Sequence, residues 1–410
     1  MLELTWWVTE LIPKVETISI CGIDGSTKLD SIWKLPNLPI TEAYGEFDEH
    51  YPKFDQELMI CLSCGHLQLK SQVDPNFLYS TDNYAFRTQN NNKIQKEFEF
   101  IQQFLSELNL DTGQMRAIEI GASNLELAKF LNQRNKFQSF AVCDPLFTNQ
   151  EKVEGGRIEI IGKLAEDASE EMKRFETNFV LGRHVLEHVL NPLSLLENIL
   201  KNINPATIFV FEVPSLELLR KNLRFDAIFH QHCQYFDESS VNTLMQQLGC
   251  ELISLKFNKE GSNGGSMIFA FKKQDVKVSR DMNNASRIAV EKKISEIKIE
   301  IGIFTSAFKA LGDFIKYLPG KKAGYGAAHM LATLNYHTGG AIETLDFILD
   351  DDKSKNNLSY RNINLRIVHP EEAPIDENLT FIPTSYENHR TIIKKITEEY
   401  PNRVISGPIF

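Results

Sequence analysis

The sequence has few cysteines and no excess of basic charge. Its 410 residues include six cysteines, too few for a disulfide framework in a chain of this length, which favours a reducing compartment. The 44 lysines and arginines are outnumbered by 55 aspartates and glutamates, giving a net charge of −11. This balance argues against a dedicated nucleic-acid-binding protein, although a local helix N-terminus can still bind a small anion.

Long apolar runs are also missing. No stretch approaches the roughly 20 apolar residues that a membrane-spanning helix needs. The start, MLELTWWVTELIPKVE, lacks the basic segment and the long apolar segment of a signal peptide. We therefore expect a cytoplasmic protein that binds neither membrane nor nucleic acid.

The central part of the chain has the rhythm of an α/β domain. Short apolar strands alternate with amphipathic segments from AIEI (117–120) to TIFVFEVP (207–214). One helix has Asn191 as its N-cap and Pro192 in its first turn. The alternation predicts a doubly wound parallel sheet of the Rossmann type within residues 83–275.

The sequences before and after residues 83–275 have different patterns. Residues 1–82 contain short strand-like pieces around a CxxC turn. Beyond the centre, regular apolar positions predict a long helix over about 276–318, either a link between domains or a solvated face without a function of its own. Strands and helices alternate again from residue 322, so residues 276–410 are predicted to form this helix and a smaller C-terminal α/β domain.

The first turn of the central domain, EIGASNLELA (119–128), predicts a nucleotide-type ligand site. A glycine turn between a strand and a helix lets backbone amides approach a ligand closely. Only Gly121 lies in this turn, so the GxGxxG dinucleotide pattern fails. Glu119 instead suits the cationic amino-acid end of S-adenosylmethionine (SAM), and Asp144, after the second strand, suits its ribose. Ordinary strand-end polarity remains the alternative for both acids.

The fourth strand runs into LGRHVLEHVLNP (181–192). His184, Glu187 and His188 have the HxxEH spacing of some zinc sites, in which the glutamate is a base. Because the segment follows a strand directly and Asn191–Pro192 open the next helix, we favour packing on the cofactor side, with His184 near the cofactor, over metal ligation.

A further stretch, DAIFHQHCQYF (226–236), places two histidines among aromatic residues, where zinc binding, proton transfer and core packing are all open. With this stretch included, the chain resembles the sugar C-methyltransferases that act on nucleotide-linked 4-ketosugars. The landmarks of the resemblance occur in the family's order: EIGASN (119–124), FEVP (211–214), FHQHCQYF (229–236), GGS (264–266), YGAA (325–328) and LDDDKSK (349–355).

The resemblance implies an architecture and two cofactors. A small N-terminal zinc-ribbon-like module would precede a central Rossmann-like SAM-binding domain and a smaller C-terminal α/β domain. Ser123 and Asn124 would join Gly121 in the SAM turn. The substrate would be a nucleotide-diphosphate 4-keto-deoxysugar, and the protein a monomer or homodimer.

The resemblance also implies roles for individual residues. His232 would be the base that removes a proton from carbon, a task that suits imidazole because its ordinary pKa lies near working pH. His230 would support it. Gln231 and Tyr84, the latter also facing the sugar, would complete the catalytic group. The residues that would bind the sugar or its nucleotide are Phe229, Tyr235, Tyr325, Gly326 and His329.

Several positions depart from the family pattern. Phe229 and Gln231 replace a tyrosine and a glutamate, so a phenol and a carboxylate are missing beside His232. Ile268 replaces an arginine, and Leu125–Glu126 replace an acid and a glycine of the SAM turn. Two alternatives therefore stay open: an O- or N-methyltransferase of the same build, and a catalytically silent protein that binds a nucleotide sugar.

The zinc module departs as well. CLSC supplies Cys61 and Cys64, but ISICGIDG (18–25) supplies Cys21 in the place of the second cysteine of the other pair, with Ile18 in the first place. Structural zinc sites have four ligands, so His66 or His50 would complete a Cys₃His site. A metal-free module with three buried thiols is the alternative.

Overall fold

The computed structural model describes residues 13–41, 43–79, 92–147, 152–153, 158–274, 287–400 and 403–404. Within them the fold is mixed α/β, as the sequence predicts. None of the helices among these residues is both long and apolar enough to cross a membrane.

The N-terminal part consists mainly of short antiparallel strands. Its elements are β1 (Val15–Thr17), β2 (Leu29–Pro39), β3 (Tyr44–Gly45), β4 (Lys53–Cys61), β5 (Leu67–Leu69), β6 (Ser71–Val73) and helix α1 (Pro75–Leu78). Strands β2, β4 and β5 form a meander, with Leu35, Leu58 and Leu67 buried on it. Cys21 precedes β2, Cys61 ends β4, and Cys64 lies in the turn that connects β4 to β5.

The central part is an eight-stranded sheet flanked by helices. Its elements in chain order are α2 (Asn92–Glu107), β7 (Arg116–Ile120), α3 (Glu126–Asn135), β8 (Ser139–Cys143), β9 (Lys152–Val153), β10 (Ile158–Ile161), α4 (Ser169–Arg174), β11 (Phe179–Arg183), α5 (Pro192–Asn202), β12 (Ile208–Pro214), α6 (Leu216–Lys221), β13 (Gln234–Tyr235), α7 (Glu238–Leu248), β14 (Cys250–Asn258) and β15 (Ser266–Lys273).

The strand order in this sheet is β14–β15–β12–β11–β7–β8–β10–β9. The five strands from β12 to β10 are mutually parallel, and β14, β15 and β9 run antiparallel to their neighbours. Helices cover both faces, so the parallel strands read as nearly continuous apolar runs. The carboxyl ends of β7, β8, β11 and β12 meet at one edge, where ligands bind in such sheets.

One strand of the central part belongs to the N-terminal sheet instead. Strand β13 pairs antiparallel with β5, joining Gln234 to Gln68 and Tyr235 to Leu67. The backbone N–H of Leu69 also donates to the carbonyl oxygen of Cys233, at 2.9 Å. The residues that follow His232 are therefore fixed by the N-terminal sheet.

The C-terminal part begins with a long helix and ends in a small parallel sheet. Its elements are α8 (Arg287–Tyr317), β16 (Lys322–Tyr325), α9 (Leu331–His337), β17 (Phe347–Leu349), β18 (Ser359–Tyr360), β19 (Ile367–Val368), β20 (Thr380–Pro383), α10 (His389–Glu399) and β21 (Arg403–Val404). The sheet order is β19–β17–β16–β20–β21, with parallel neighbours throughout. The predicted helix is present, and the first residues of its predicted span, up to residue 286, lie outside the described residues.

Helix α8 lies in a core shared by the two ends of the chain. Its side chains Ile297, Ile301 and Phe304 belong to one apolar cluster with Leu58 of the N-terminal sheet and Leu331 of α9. In addition, β18 pairs antiparallel with β3. The N- and C-terminal parts are thus packed together, and α8 does more than link two separate domains.

Candidate active site and metal centre

The turn after β7 has the shape of a ligand-binding turn. Gly121 has φ of +69°, and a Cβ there would lie 2.6 Å from Cγ2 of Val185, so only glycine fits. Ser123 is also in the left-handed region, with φ of +51°. Its backbone N–H donates to Oδ2 of the buried Asp144, at 2.9 Å. Asp144 therefore braces this turn and keeps lone pairs for a ribose.

Glu119, near the end of β7, is a buried acid with incomplete hydrogen bonding. It is 2% exposed, and its Oε2 has no hydrogen-bond partner among the described residues. The nearby Arg183 is already paired with Glu97 and Glu212. Burial raises the pKa of Glu119 to about 8. A cationic ligand group would satisfy this oxygen, so the residues present fit the amino-acid end of SAM.

Glu187 is fully buried just beyond β11, yet it is kept ionised. Burial alone would raise its pKa, but the bond from His184 and the neighbouring imidazoles lower the pKa to about 2. Oε1 of Glu187 lies 3.0 Å from Nδ1 of His184, and Oε2 has no partner among the described residues. His184 itself has φ of +52°, and its Nε2 is buried without a partner in that same set.

His188 connects this loop to the 229–236 loop. Its Nδ1 lies 2.7 Å from the carbonyl oxygen of Gln231, to which it donates, and 2.9 Å from the hydroxyl oxygen of Tyr79. The rings of His188 and His232 meet edge to face at 4.9 Å. Side-chain donor atoms of Glu187, His188 and His232 all lie within 4.8 Å of one another. The LEHV segment marks this cluster in the sequence, but the sequence predicts only packing for Glu187 and His188.

His232 belongs to this cluster and also lines a small cavity. The cavity is also lined by Ser215, Gln234 and Tyr235, and the ring of Phe229 lies 4.2 Å from the His232 ring. Burial, followed by the charge of His188, lowers the pKa of His232 to about 3. The imidazole is therefore neutral near pH 7, but it is a weaker base than free imidazole, so the expectation of a pKa near working pH is wrong for His232.

His230 and Gln231 have their partners in the N-terminal part. Nε2 of His230 lies 3.0 Å from the carbonyl oxygen of Leu38, and its Nδ1 lies 3.4 Å from Nε2 of Gln56. Oε1 of Gln231 accepts from the hydroxyl of Thr41, at 3.1 Å. These contacts suit an anchor for the loop better than a direct part in proton transfer.

The remaining predicted site residues lie elsewhere or cannot be placed. Tyr84 falls outside the described residues. In the C-terminal part, the Tyr325 hydroxyl donates to Asp351, and Gly326 has φ of +102°. The half-buried His329 follows, and burial lowers its pKa to about 4.

A phosphate at this C-terminal turn would compete with Asp350 for the backbone amide of Ala327. The amide of Ala327 already donates to Oδ2 of Asp350, at 2.7 Å. Lys355, 3.5 Å from the same oxygen, supplies compensating positive charge. A diphosphate at this turn would therefore pair with Lys355 more readily than with the amide of Ala327.

The three cysteines of the N-terminal part meet, but not with a histidine. Cys21, Cys61 and Cys64 share one group with Asp24, their donor atoms all within 4.8 Å. The predicted fourth ligand, His66, is bonded instead to Ser240 and Gln234, at 2.9 and 2.8 Å. The alternative, His50, is an exposed partner of Glu49. Asp24 was missed although CGID repeats the CxxC spacing with an acid at its end.

Solved structures of low similarity include two methyltransferases. N-methyltransferase NodS from Bradyrhizobium japonicum, in complex with S-adenosyl-L-homocysteine, is 12% identical with a TM-score of 0.34, covering 48% of this chain and 95% of that one. A SAM-dependent methyltransferase from Leishmania major is 12% identical with a TM-score of 0.35, covering 43% and 72%. Scores this low do not establish a common fold.

Sequence comparison gives a firmer result. Residues 90–255 match the family model described as "Methyltransferase domain", and residues 21–79 match the one described as "Putative zinc binding domain". C-methyltransferase NovU from Streptomyces niveus is 25% identical over 267 residues, which are 63% of this chain and 61% of that protein. The match therefore spans less than two thirds of that relative. The chain carries a methyltransferase domain, preceded by a domain of a type described as zinc-binding.

Proposed function

We propose that this chain is a SAM-dependent methyltransferase that adds a methyl group to carbon of a nucleotide-diphosphate 4-keto-deoxysugar, with His232 as the base. The methyltransferase domain and the likeness to a C-methyltransferase support methyl transfer to carbon. The observation that carries the proposal is His232, a neutral imidazole that lies within 4.8 Å of a buried carboxylate and also lines a small cavity.

Carbon beside a ketone is weakly acidic, so it needs a positioned base. His232 would take the proton, and the electron pair of the C–H bond would remain on the sugar as an enolate. Bound SAM supplies an electrophilic methyl group for that carbon. Glu119, Asp144 and the turn at Gly121 would hold SAM.

The buried groups around His232 determine how well it performs this task. When His232 accepts a proton it becomes cationic in a buried site, which is unfavourable without a counter-charge. The ionised Glu187, within 4.8 Å, offsets part of this cost, although burial still outweighs it in the pKa of His232. His188 donates from Nδ1 to the carbonyl oxygen of Gln231, which holds its ring against that of His232. Phe229 excludes water from one face of the ring.

The test is product analysis with a defined probe. The full-length protein is incubated with a dTDP-4-keto-6-deoxyhexose and SAM carrying a ¹³C-methyl group, and the product is examined by NMR. A C–CH₃ signal is expected, and His232→Ala should lower kcat by roughly 10²–10⁴-fold. His50→Ala, at an exposed histidine of the N-terminal part, is the control.

Other outcomes point to other functions. An O–CH₃ or N–CH₃ signal would identify a different acceptor atom. That result would be consistent with Gln231 standing where the family has a carboxylate. Binding of the sugar nucleotide without any turnover would indicate a silent binding protein. Full activity in His232→Ala would rule out His232 as the base.

A further inference from the structure

The first cysteine turn of the N-terminal part is closed by two backbone hydrogen bonds. The N–H of Cys21 donates to the carbonyl oxygen of Ser26, at 2.8 Å, and the N–H of Gly25 donates back to the carbonyl oxygen of Cys21, at 2.9 Å. Gly25 has φ of +70°. The third residue after Cys21, and the one just before this glycine, is Asp24.

The second turn repeats the first bond for bond. The N–H of Cys61 donates to the carbonyl oxygen of His66, at 2.8 Å, and the N–H of Gly65 donates back to that of Cys61, at 2.8 Å. Gly65 has φ of +77°. The residue at the place of Asp24 is Cys64. The two turns are therefore equivalent, and Cys21 is the first member of its pair, not the second as the sequence suggests.

Two of the distances between donor atoms match those of a tetrahedral zinc site. With Zn–S of about 2.3 Å and Zn–O of about 2.0 Å, tetrahedral angles give S···S of about 3.8 Å and S···O of about 3.5 Å. The Sγ atoms of Cys21 and Cys64 lie 3.8 Å apart, and Sγ of Cys61 lies 3.5 Å from Oδ2 of Asp24.

A disulfide bond or packing without a metal would account for this cluster less well. A disulfide needs an S–S distance of about 2.05 Å, which the 3.8 Å between Cys21 and Cys64 does not approach. Without a metal, the half-buried Asp24 carboxylate would accept only from the Cys61 thiol, a weak donor, at 3.5 Å, and the Cys21 and Cys64 thiols would merely touch at 3.8 Å. A bound cation would use all four donors.

We propose that Asp24 is the fourth ligand of a zinc ion held by Cys21, Cys61 and Cys64. Four protein ligands leave no open coordination position, so the ion is structural. Asp24 replaces the second cysteine of one CxxC pair, and the site keeps four anionic ligands. This Cys₃Asp assignment is independent of the methyl acceptor.

The two cysteine turns are connected to the elements that support the candidate active site. The carbonyl oxygen of Gly22 accepts from the N–H of Leu193, at 3.0 Å, so the first turn is bonded to the start of α5. The second turn leads into β5, which pairs with β13 directly after His232. One ion would therefore fix the supports of both active-site loops.

Metal content and spectra of full-length variants test the assignment. Native and denatured mass spectrometry should show one zinc per wild-type chain. After replacement with Co²⁺, Asp24→Cys should bind one ion with stronger sulfur-to-cobalt absorption, because four thiolates replace three. Asp24→Ala should bind Zn²⁺ roughly 100-fold more weakly in competition with a chelator, since even lost second-shell partners cost 10–100-fold. Asp30→Ala, at an exposed acid of the same segment, is the control.

Each contrary result has a distinct meaning. If Asp24→Ala keeps the wild-type affinity and cobalt spectrum, Asp24 is not a ligand. If wild-type protein holds no zinc and takes up no Co²⁺, the site does not bind metal at all. Because Asp24→Cys restores a four-cysteine set, its failure to show a changed spectrum would also overturn the assignment, even if Asp24→Ala does not fold.

Discussion

Glu119 and Glu187 are both fully buried at the candidate active site, but their pKa values move in opposite directions. Glu187 accepts from His184 and lies among imidazoles, which lower its pKa to about 2. Glu119 has an arginine nearby that other acids already engage, so burial raises its pKa to about 8. Partners, and not burial alone, thus decide which carboxyl is ionised.

This difference predicts that SAM binding releases a proton. At pH 7 Glu119 is mostly protonated, because its pKa lies near 8. A cationic ligand group favours the carboxylate and lowers that pKa, so affinity should rise as the pH increases from 6 towards 8. Calorimetry at pH 7 in two buffers of different ionisation enthalpy should give different apparent binding enthalpies.

The control for this experiment is a neighbouring acid. Glu119→Gln should remove the buffer dependence and weaken binding, whereas Glu126→Gln, at a more exposed position of the same turn, should retain the dependence. Equal enthalpies in both buffers for the wild-type protein would show that Glu119 is already ionised before SAM binds.

At the level of helices and strands, the sequence predicted the parallel sheet well. Strands such as β7 and β12 are buried apolar runs, and the Asn191 side chain does accept from the N–H of Ser194 at the start of α5. The pairings β13–β5 and β18–β3 could not be predicted in this way. Strands of two or three residues have no periodic pattern, and each pairing joins residues far apart in the chain.

The same limit applies to the candidate site. The glycine turn with Glu119 and Asp144 was predictable because strand ends of one parallel sheet meet at a common edge. The grouping of His232 with Glu187 and His188 depends on how two loops cross, which local patterns do not encode. Asp24 was missed for a different reason: an acid in a cysteine position is not read as part of a CxxC pair.

Helix α8 supplies a prediction at this level. Phe304 is fully buried and contacts Trp33 of the N-terminal sheet and His337 of α9, ring to ring. Phe304→Ala should therefore lower the free energy of unfolding by about 3–5 kcal/mol, the usual cost of truncating a core aromatic residue. Urea denaturation at a fixed pH measures this change.

The adjacent residue is a suitable control. Ile303 is 52% exposed on the same helix, so Ile303→Ala should change the stability much less than Phe304→Ala. Equal effects of the two substitutions would mean that α8 does not pack as described, and that the shared core of the N- and C-terminal parts is wrong.

At the level of the whole molecule, the N-terminal sheet supports the candidate active site from outside the methyltransferase sheet. His230 is bonded to Leu38, Gln231 to Thr41 and Gln234 to His66, so the whole 230–234 segment depends on this part of the chain. If the proposed zinc ion holds the two cysteine turns, removing the ion should loosen this segment, although none of the four proposed zinc ligands lies within it.

Hydrogen exchange measures that effect directly. After zinc is removed with a chelator, exchange should speed up at residues 21–26 and 61–69, and also at 233–236 and at the start of α5, because hydrogen bonds join these segments. Strands β16 and β20 pair with each other and with β17 and β21 of the C-terminal sheet, so they should be unaffected and provide an internal control. Asp24→Ala should reproduce the pattern without chelator. Faster exchange confined to the two cysteine turns would show that the metal stabilises only its own module, whereas transmission to residues 233–236 would connect metal binding to the placement of His232.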